Sequence, residues 1–281
     1  MTTHFNASIR SRRVSAELRR YREEFGMTSA QAAEALGCSA SKLSRIETGS
    51  RGLHVEDVAA LLGLYRVPER RRDELLELVR KADERGLWFA QGSGLPELWK
   101  TLIDFERLAT RIQNFESLFV PGLLQTADYC AAIIQAMNEA ITGAELDKLV
   151  SARMSRQMIL RRQDLQLLAV IDEVVLRRVI GDPATHRRQL RRLVDESERD
   201  NITLRVVPLV RGAYPGLRGP FMTMDFADEP SVVYVENQTL SLFLEEKDDL
   251  AAFRLSLGNI LSKALGPAES ADFIATVAEQ T

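Results

Sequence analysis

The chain is poor in the residues that carry metal and redox chemistry. It has two cysteines, Cys38 and Cys130, and three histidines, His4, His54 and His186. The cysteines lie far apart, and no His or Cys falls at a metal-ligand spacing, so neither a metal site nor a disulfide framework is expected. A reducing, cytoplasmic setting follows. Long apolar runs are missing too. Charge-free stretches such as Ser117–Ala127 fall well short of the roughly 20 apolar residues that a membrane helix needs, so no membrane partner is expected. No apolar core follows the early charges, so no secretory signal is read there. There is no glycine loop of the phosphate-cradling kind. Asp172 and Glu173 are adjacent, and in a strand they would point to opposite faces, unable to act as a facing acid/base pair. The expectation is a protein without a cofactor that is not an enzyme.

What is present is an uneven charge. The net charge is -3, yet residues 1–52 carry nine Lys or Arg against five acids, a local +4 on a body of -7. A basic head on an acidic body suits a polyanion partner for the head alone. A length of 281 residues suggests two domains.

Periodicity divides the chain. Residues 1–13 read as a flexible arm with three arginines, and helix signals follow over 14–88. Ser15 reads as a cap, with Val14, Leu18 and Phe25 at helical spacing, and Gly26 as a stop. Thr28 caps a second helix that ends before Gly37, and Ser39 caps a third that stops at Gly49. Further helices are expected from His54 to Leu64 and from Glu69 to Arg85. Gly, Ser and Pro within 89–96 predict a linker. Residues 97–281 read as a larger domain, with helices over Glu97–Gln113, Leu124–Met137, Glu145–Arg162, 184–199, 247–264 and 268–279. Strand patterns fall on Leu165–Ile171 and Ile202–Leu209, and Phe221–Phe226 with Ser231–Glu236 forms a hairpin pattern. This predicts an α+β domain with a small antiparallel sheet.

The spacing from Thr28 to Gly49 carries the function. Two short helices joined by a tight turn need a small residue at their crossing, which Ala33 supplies. They also need a turn residue tolerant of positive φ, which Gly37 supplies. Leu43 and Ile46 would then be buried, leaving Ala40, Ser41, Lys42, Ser44 and Arg45 outward. This run, with its Ser44-Arg45-Ile46-Glu47-x-Gly49 segment, resembles the Xre (lambda-repressor-like) helix-turn-helix family over residues 14–67. The resemblance implies a mainly α, lambda-repressor-like bundle whose third helix enters the major groove of double-stranded DNA. It implies that Ser41, Lys42 and Arg45 face bases or adjoining phosphates, and that Ser39 and Ser44 contact phosphate or cap. Ser29 stands where many relatives have Gln and would reach only backbone phosphate, and Ala40 replaces a position that is often polar. Arg22 and Glu47 match a structural pair of the family.

The second domain carries several further blocks. They are Val120-Pro-Gly-Leu-Leu-Gln-Thr126, Ala152-Arg-Met-Ser-Arg-Gln157, Ile171-Asp-Glu173, and Gly212-Ala-Tyr-Pro-Gly216 with Gly219-Pro-Phe221. Together they resemble actinobacterial regulators with a C-terminal DUF5753 domain, as in WhiJ-type regulators of Streptomyces. That likeness implies a regulator, often accompanied by a small DUF397-type protein. Arg153 and Gln157 on one helix face, with Tyr214 and Arg218 in a glycine-rich connection, are candidates for a ligand or partner site. The expected function is a nucleoid-associated, sequence-specific transcription regulator. It would act as a homodimer whose C-terminal domain senses a partner or an unidentified small molecule. The alternative is an antitoxin-like interaction module that holds the small partner.

Overall fold

The computed structural model describes residues 9–49, 53–80, 87–90, 95–237 and 240–281. They divide into two compact units. The first contains residues up to Asp104 together with 228–230 and 239–247, and the second contains the rest.

The first unit opens with α1 (Ile9–Glu24), α2 (Ser29–Ala35), α3 (Ala40–Thr48), α4 (Val55–Leu64) and α5 (Glu69–Arg80). Each of the longer helices contributes apolar residues three or four apart, which places them on one stripe. Val14 and Leu18 of α1 meet Leu43, Leu61 and Leu75 in a single buried core. Gly37 and Gly49 take φ of 62° and 71°, a left-handed backbone that lets α2 and α3 stop where they do.

The arm expected over 1–13 is corrected in part. Helix α1 already runs from Ile9, with Ser15 inside it rather than capping it, and Arg10, Ser11 and Arg12 are buried. Residues 1–8 lie outside the described residues. The reason is Arg12. Its guanidinium donates to the Glu229 carboxylate at 3.0 Å and to the Pro230 carbonyl at 3.1 Å, and lies 3.6 Å from the Glu245 carboxylate. Those partners come more than two hundred positions later, so nothing local in the sequence announces them.

The chain continues through β1 (Leu87–Ala90) and α6 (Leu95–Leu108), so the expected linker at 89–96 overlaps a strand and a helix start, with 91–94 outside the described residues. The second unit then holds β2 (Arg111–Glu116), α7 (Ala127–Met137), α8 (Gly143–Arg156), β3 (Gln166–Asp172), α9 (Glu173–Arg177), α10 (Pro183–Ser197), β4 (Ile202–Val207), β5 (Phe221–Asp225) and β6 (Val232–Glu236). After β7 (Leu240–Leu244), which pairs antiparallel with β1 inside the first unit, the chain ends in α11 (Lys247–Leu261) and α12 (Pro267–Gln280).

The sheet of the second unit has the order β6-β5-β2-β3-β4. It is mixed, not antiparallel as expected. β2, β3 and β4 run parallel, while β5 runs antiparallel to β2 and to β6. Helices α7 and α8, and then α9 and α10, supply the long crossovers that parallel neighbours require. The helix expected to reach Gln113 ends at Leu108, and Arg111–Glu116 becomes a central strand. That six-residue segment alternates too briefly to declare itself. Its state is decided by β3 on one side, with Phe115 opposite Val170, and β5 on the other, with Phe115 opposite Phe221.

The outer strand β4 is covered rather than left bare. The Ser270 hydroxyl accepts from the Val206 amide at 3.0 Å, and the Val206 carbonyl accepts from the Leu265 amide at 2.8 Å. Arg205 donates to the carbonyls of Ala264 at 2.8 Å and Leu261 at 3.3 Å, capping the end of α11 with a cation where the helix dipole favours one. Among the described residues no helix is long and apolar enough to cross a membrane, and no group of three His, Cys, Asp or Glu could hold a metal ion.

Candidate nucleic-acid interface

Local chemistry fixes the two helices before any packing does. The Thr28 hydroxyl accepts from the Gln31 amide at 3.2 Å, and the Gln31 side-chain oxygen accepts from the Thr28 amide at 2.9 Å, a reciprocal cap on α2. The Ser39 hydroxyl caps α3 by accepting from the Lys42 amide at 3.1 Å. Between them the Cys38 amide bonds the Ala33 carbonyl at 2.9 Å, closing the turn around Gly37. Ala33 is buried, which lets the two helices approach.

Helix α3 has two unlike faces. Leu43, Ile46 and Glu47 are buried, while Ala40, Ser41, Ser44 and Arg45 are exposed, as is Ser39 at the cap. Ser29 begins α2 and is half-buried. Arg45 donates to the Ser41 carbonyl one turn earlier, at 3.2 Å, so its guanidinium lies along the outer surface.

Lys42 does not belong to that open row. It is half-buried, and its ammonium lies 2.6 Å from the Asp57 carboxylate in the first turn of α4. The basic charge expected to face DNA is here spent tying α3 to α4. Asp57 was missed from sequence because only the packing of α4 on α3 brings it to Lys42.

Arg22 and Glu47 meet as a buried pair. The Arg22 Nε donates to both Glu47 oxygens, at 2.8 and 3.1 Å, and its NH1 donates to the Met27 carbonyl at 2.8 Å. The hydrogen bond to Glu47 is the main cause that raises Arg22 above its ordinary value. Burial, and then the Glu47 charge, push the nearby Tyr65 phenol up as well. One ion pair thus joins α1, the turn after it, and the last turn of α3.

In the second unit the four ligand-site candidates do not form one site. Arg153 donates to the Gln125 side-chain oxygen at 3.1 Å, and the Gln157 amide donates to the carbonyls of Gln125 at 2.6 Å and Gly122 at 3.4 Å. Gln189 completes the brace, donating to the Leu124 carbonyl at 2.8 Å and accepting from the Thr126 amide at 2.7 Å. The Val120–Thr126 block is therefore a turn whose backbone polar groups are met by the side chains of Gln157, Gln189 and its own Gln125, with Arg153 of α8 holding the Gln125 side chain. Tyr214 turns inward, its hydroxyl donating to Asp172, while Arg218 is exposed. Asp172 and Glu173 do not share a strand as expected: Asp172 ends β3 and Glu173 begins α9. Asp172 accepts from the Val174 amide at 2.9 Å to cap α9, and Glu173 accepts from the Leu209 amide at 2.8 Å.

Residues 99–276, more than half of the chain, match the family described as a domain of unknown function, DUF5753. The chain belongs to the DUF5753 family. In this DUF5753 protein a helix-turn-helix domain matches over residues 13–75. Among solved structures it is similar to TrmBL2, an archaeal chromatin protein whose structure is described as showing a novel mode of DNA binding. The identity is 11%, covering 85% of this chain and 88% of that one, with a TM-score of 0.32. A likeness that distant carries no argument here. No curated protein matches the chain.

Two acidic groups of the DUF5753 region escaped the sequence reading. Glu106 accepts from Arg156 at 2.6 and 2.9 Å, both side chains deeply buried. Glu116, at the end of β2, is pushed up to about 8, chiefly by burial; Asn114, 3.3 Å away, and Arg153 act against the shift, and Glu236 adds to it. A carboxyl raised from 4.5 to about 8 keeps its proton in the folded state over a range where the unfolded chain has lost it. Stability is therefore expected to fall as pH rises from 4.5 to about 8 and to level off above that. Glu116→Gln should flatten this slope in denaturant melts run across the same range. An unchanged slope would show that the group titrates normally.

Proposed function

We propose that the protein is a sequence-specific DNA-binding transcription regulator. Helix α3 enters the major groove, with Ser41 and Arg45 toward base edges and Ser29, Ser39 and Ser44 toward phosphate. The observation that carries this reading is the two-sided α3: a face of small polar residues and one arginine stands outward, directly opposite a face locked into the core. Small side chains let the backbone approach the groove, and Arg45 can bridge guanine O6 and N7. One such helix reads few bases, so a homodimer on a repeated or palindromic site is part of the proposal. The DUF5753 unit then supplies pairing or sensing, and the protein acts in the cytoplasm on chromosomal DNA.

The test is selection of bound duplexes from random DNA by the full chain, followed by affinity measurements. Arg45→Ala should weaken binding of the selected sequence by about 1–3 kcal/mol, roughly 5- to 150-fold, and leave the melting temperature unchanged. Wild-type affinity should also drop as salt rises, because phosphate contacts release counterions. Affinity for the selected duplex that is untouched by Arg45→Ala would refute the assignment of α3 as the reading helix.

A further inference from the structure

The connection between β4 and β5 has no part in the helix-turn-helix. It folds into two short 3-10 turns, Leu209–Arg211 and Pro215–Arg218. Backbone bonds close each turn, with the Gly212 amide on the Leu209 carbonyl at 3.1 Å and the Leu217 amide on the Tyr214 carbonyl at 3.2 Å. Three anchors then hold it down. Glu173 takes the Leu209 amide at 2.8 Å, and Asp172 takes the Tyr214 hydroxyl. The third is Gly216, whose backbone sits so close to the Phe115 ring that a Cβ there would come within 2.4 Å of it.

A connection held this firmly could have turned its apolar side chains inward. Instead Val210 is 87% exposed, Leu217 66% and Leu209 54%. Arg211 follows the first pair and Arg218 follows Leu217, both exposed, and residues 208–220 contain no acid. Apolar groups beside arginine, with the backbone already ordered, are the composition and the preorganisation that protein interfaces favour.

We propose that the 209–218 loop is a docking surface for a second protein that presents apolar side chains flanked by carboxylates. Charge selects this occupant. A two-fold contact between copies of the chain would set Arg211 and Arg218 against themselves, and like charges facing each other oppose association. A nucleic acid would leave Val210 and Leu217 uncovered, since such interfaces are polar and strongly basic. Tyr214 and Arg218, both candidates from sequence, take separate roles: Tyr214 is a positioning residue that anchors the loop, and Arg218 faces the partner.

The proposal does not depend on DNA binding, and its test contains no DNA. A random peptide display library is selected on the immobilised full chain. Recovered peptides are expected to join Leu, Ile or Phe to Asp or Glu. Their affinity should fall at least tenfold for V210D/L217D. It should also fall for R211E/R218E and as salt is added. All four positions are exposed, so both double variants should keep the wild-type melting temperature, and each serves as a check on the other. Four results would overturn the proposal: no enrichment over a control surface; peptides that bind V210D/L217D as well as wild type; self-association in sedimentation that V210D/L217D abolishes; or flotation with phosphatidylserine vesicles that the same variant abolishes.

Discussion

Glu47→Ala is expected to destabilise the helix-turn-helix unit by about 3 kcal/mol, because it strips the main partner from a guanidinium whose side chain is only 10% exposed. Arg22 is buried, and its Nε is held by both oxygens of Glu47. After truncation the guanidinium keeps only the Met27 carbonyl and a more distant approach to Glu23, 3.5 Å away. Denaturant unfolding followed by circular dichroism would measure the loss, and amide exchange in α1 and α3 would assign it to this unit. DNA affinity should collapse together with the fold, the opposite pattern to Arg45→Ala, which is expected to lose affinity at constant stability. Replacing both partners by apolar residues of similar size, R22M/E47L, should recover much of the loss, since no charge is then left stranded. A single Glu47→Ala variant as stable as wild type would mean that water reaches Arg22.

Glu106→Ala carries a similar expected loss in the DUF5753 unit, about 3–5 kcal/mol. Arg156 meets Glu106 through two parallel bonds, at 2.9 and 2.6 Å, with the side chains 7% and 1% exposed. This forked geometry is among the stronger polar contacts a protein makes, and it is specific to arginine. Arg156→Lys is accordingly expected to destabilise as well, although it keeps the charge. The E106L/R156M pair is expected to be far milder than Glu106→Ala. Thermal unfolding of the three variants beside wild type separates the cases; equal melting temperatures for wild type and Glu106→Ala would remove the pair as a structural element.

The legible parts of this molecule are those fixed by neighbours in sequence. Thr28 and Gln31, Ser39 and Lys42, Gly37 and Gly49 set their caps and turns within four residues, and the boundaries of α2 and α3 follow from them. The parts that escaped depend on distant partners. Strand β2 is a strand because β3 and β5 flank it, and Lys42 is withdrawn from the open face because α4 delivers Asp57. Arg153 and Gln157 lie close enough to share a helix face, as their spacing suggests, but both are taken up by the Val120–Thr126 segment, Arg153 on the Gln125 side chain and Gln157 on backbone carbonyls, and spacing alone cannot say what a face meets. Arg45 remained where the motif put it because an exposed side chain has few competitors for its position.

The threading of the first unit has a consequence for engineering. The chain leaves that unit after Asp104, then revisits it at 228–230 and at 239–247. The helix-turn-helix is therefore expected to lose support when it is cut out alone, although its apolar core lies wholly within residues 14–79. A fragment cut near residue 80, or a chimaera that grafts these helices onto a foreign body, would retain Arg12 while discarding Glu229, Pro230 and Glu245, the acceptors that permit its burial. Heads exchanged between such proteins would have to travel with their distant acidic counterparts, and the two stretches can be expected to vary together.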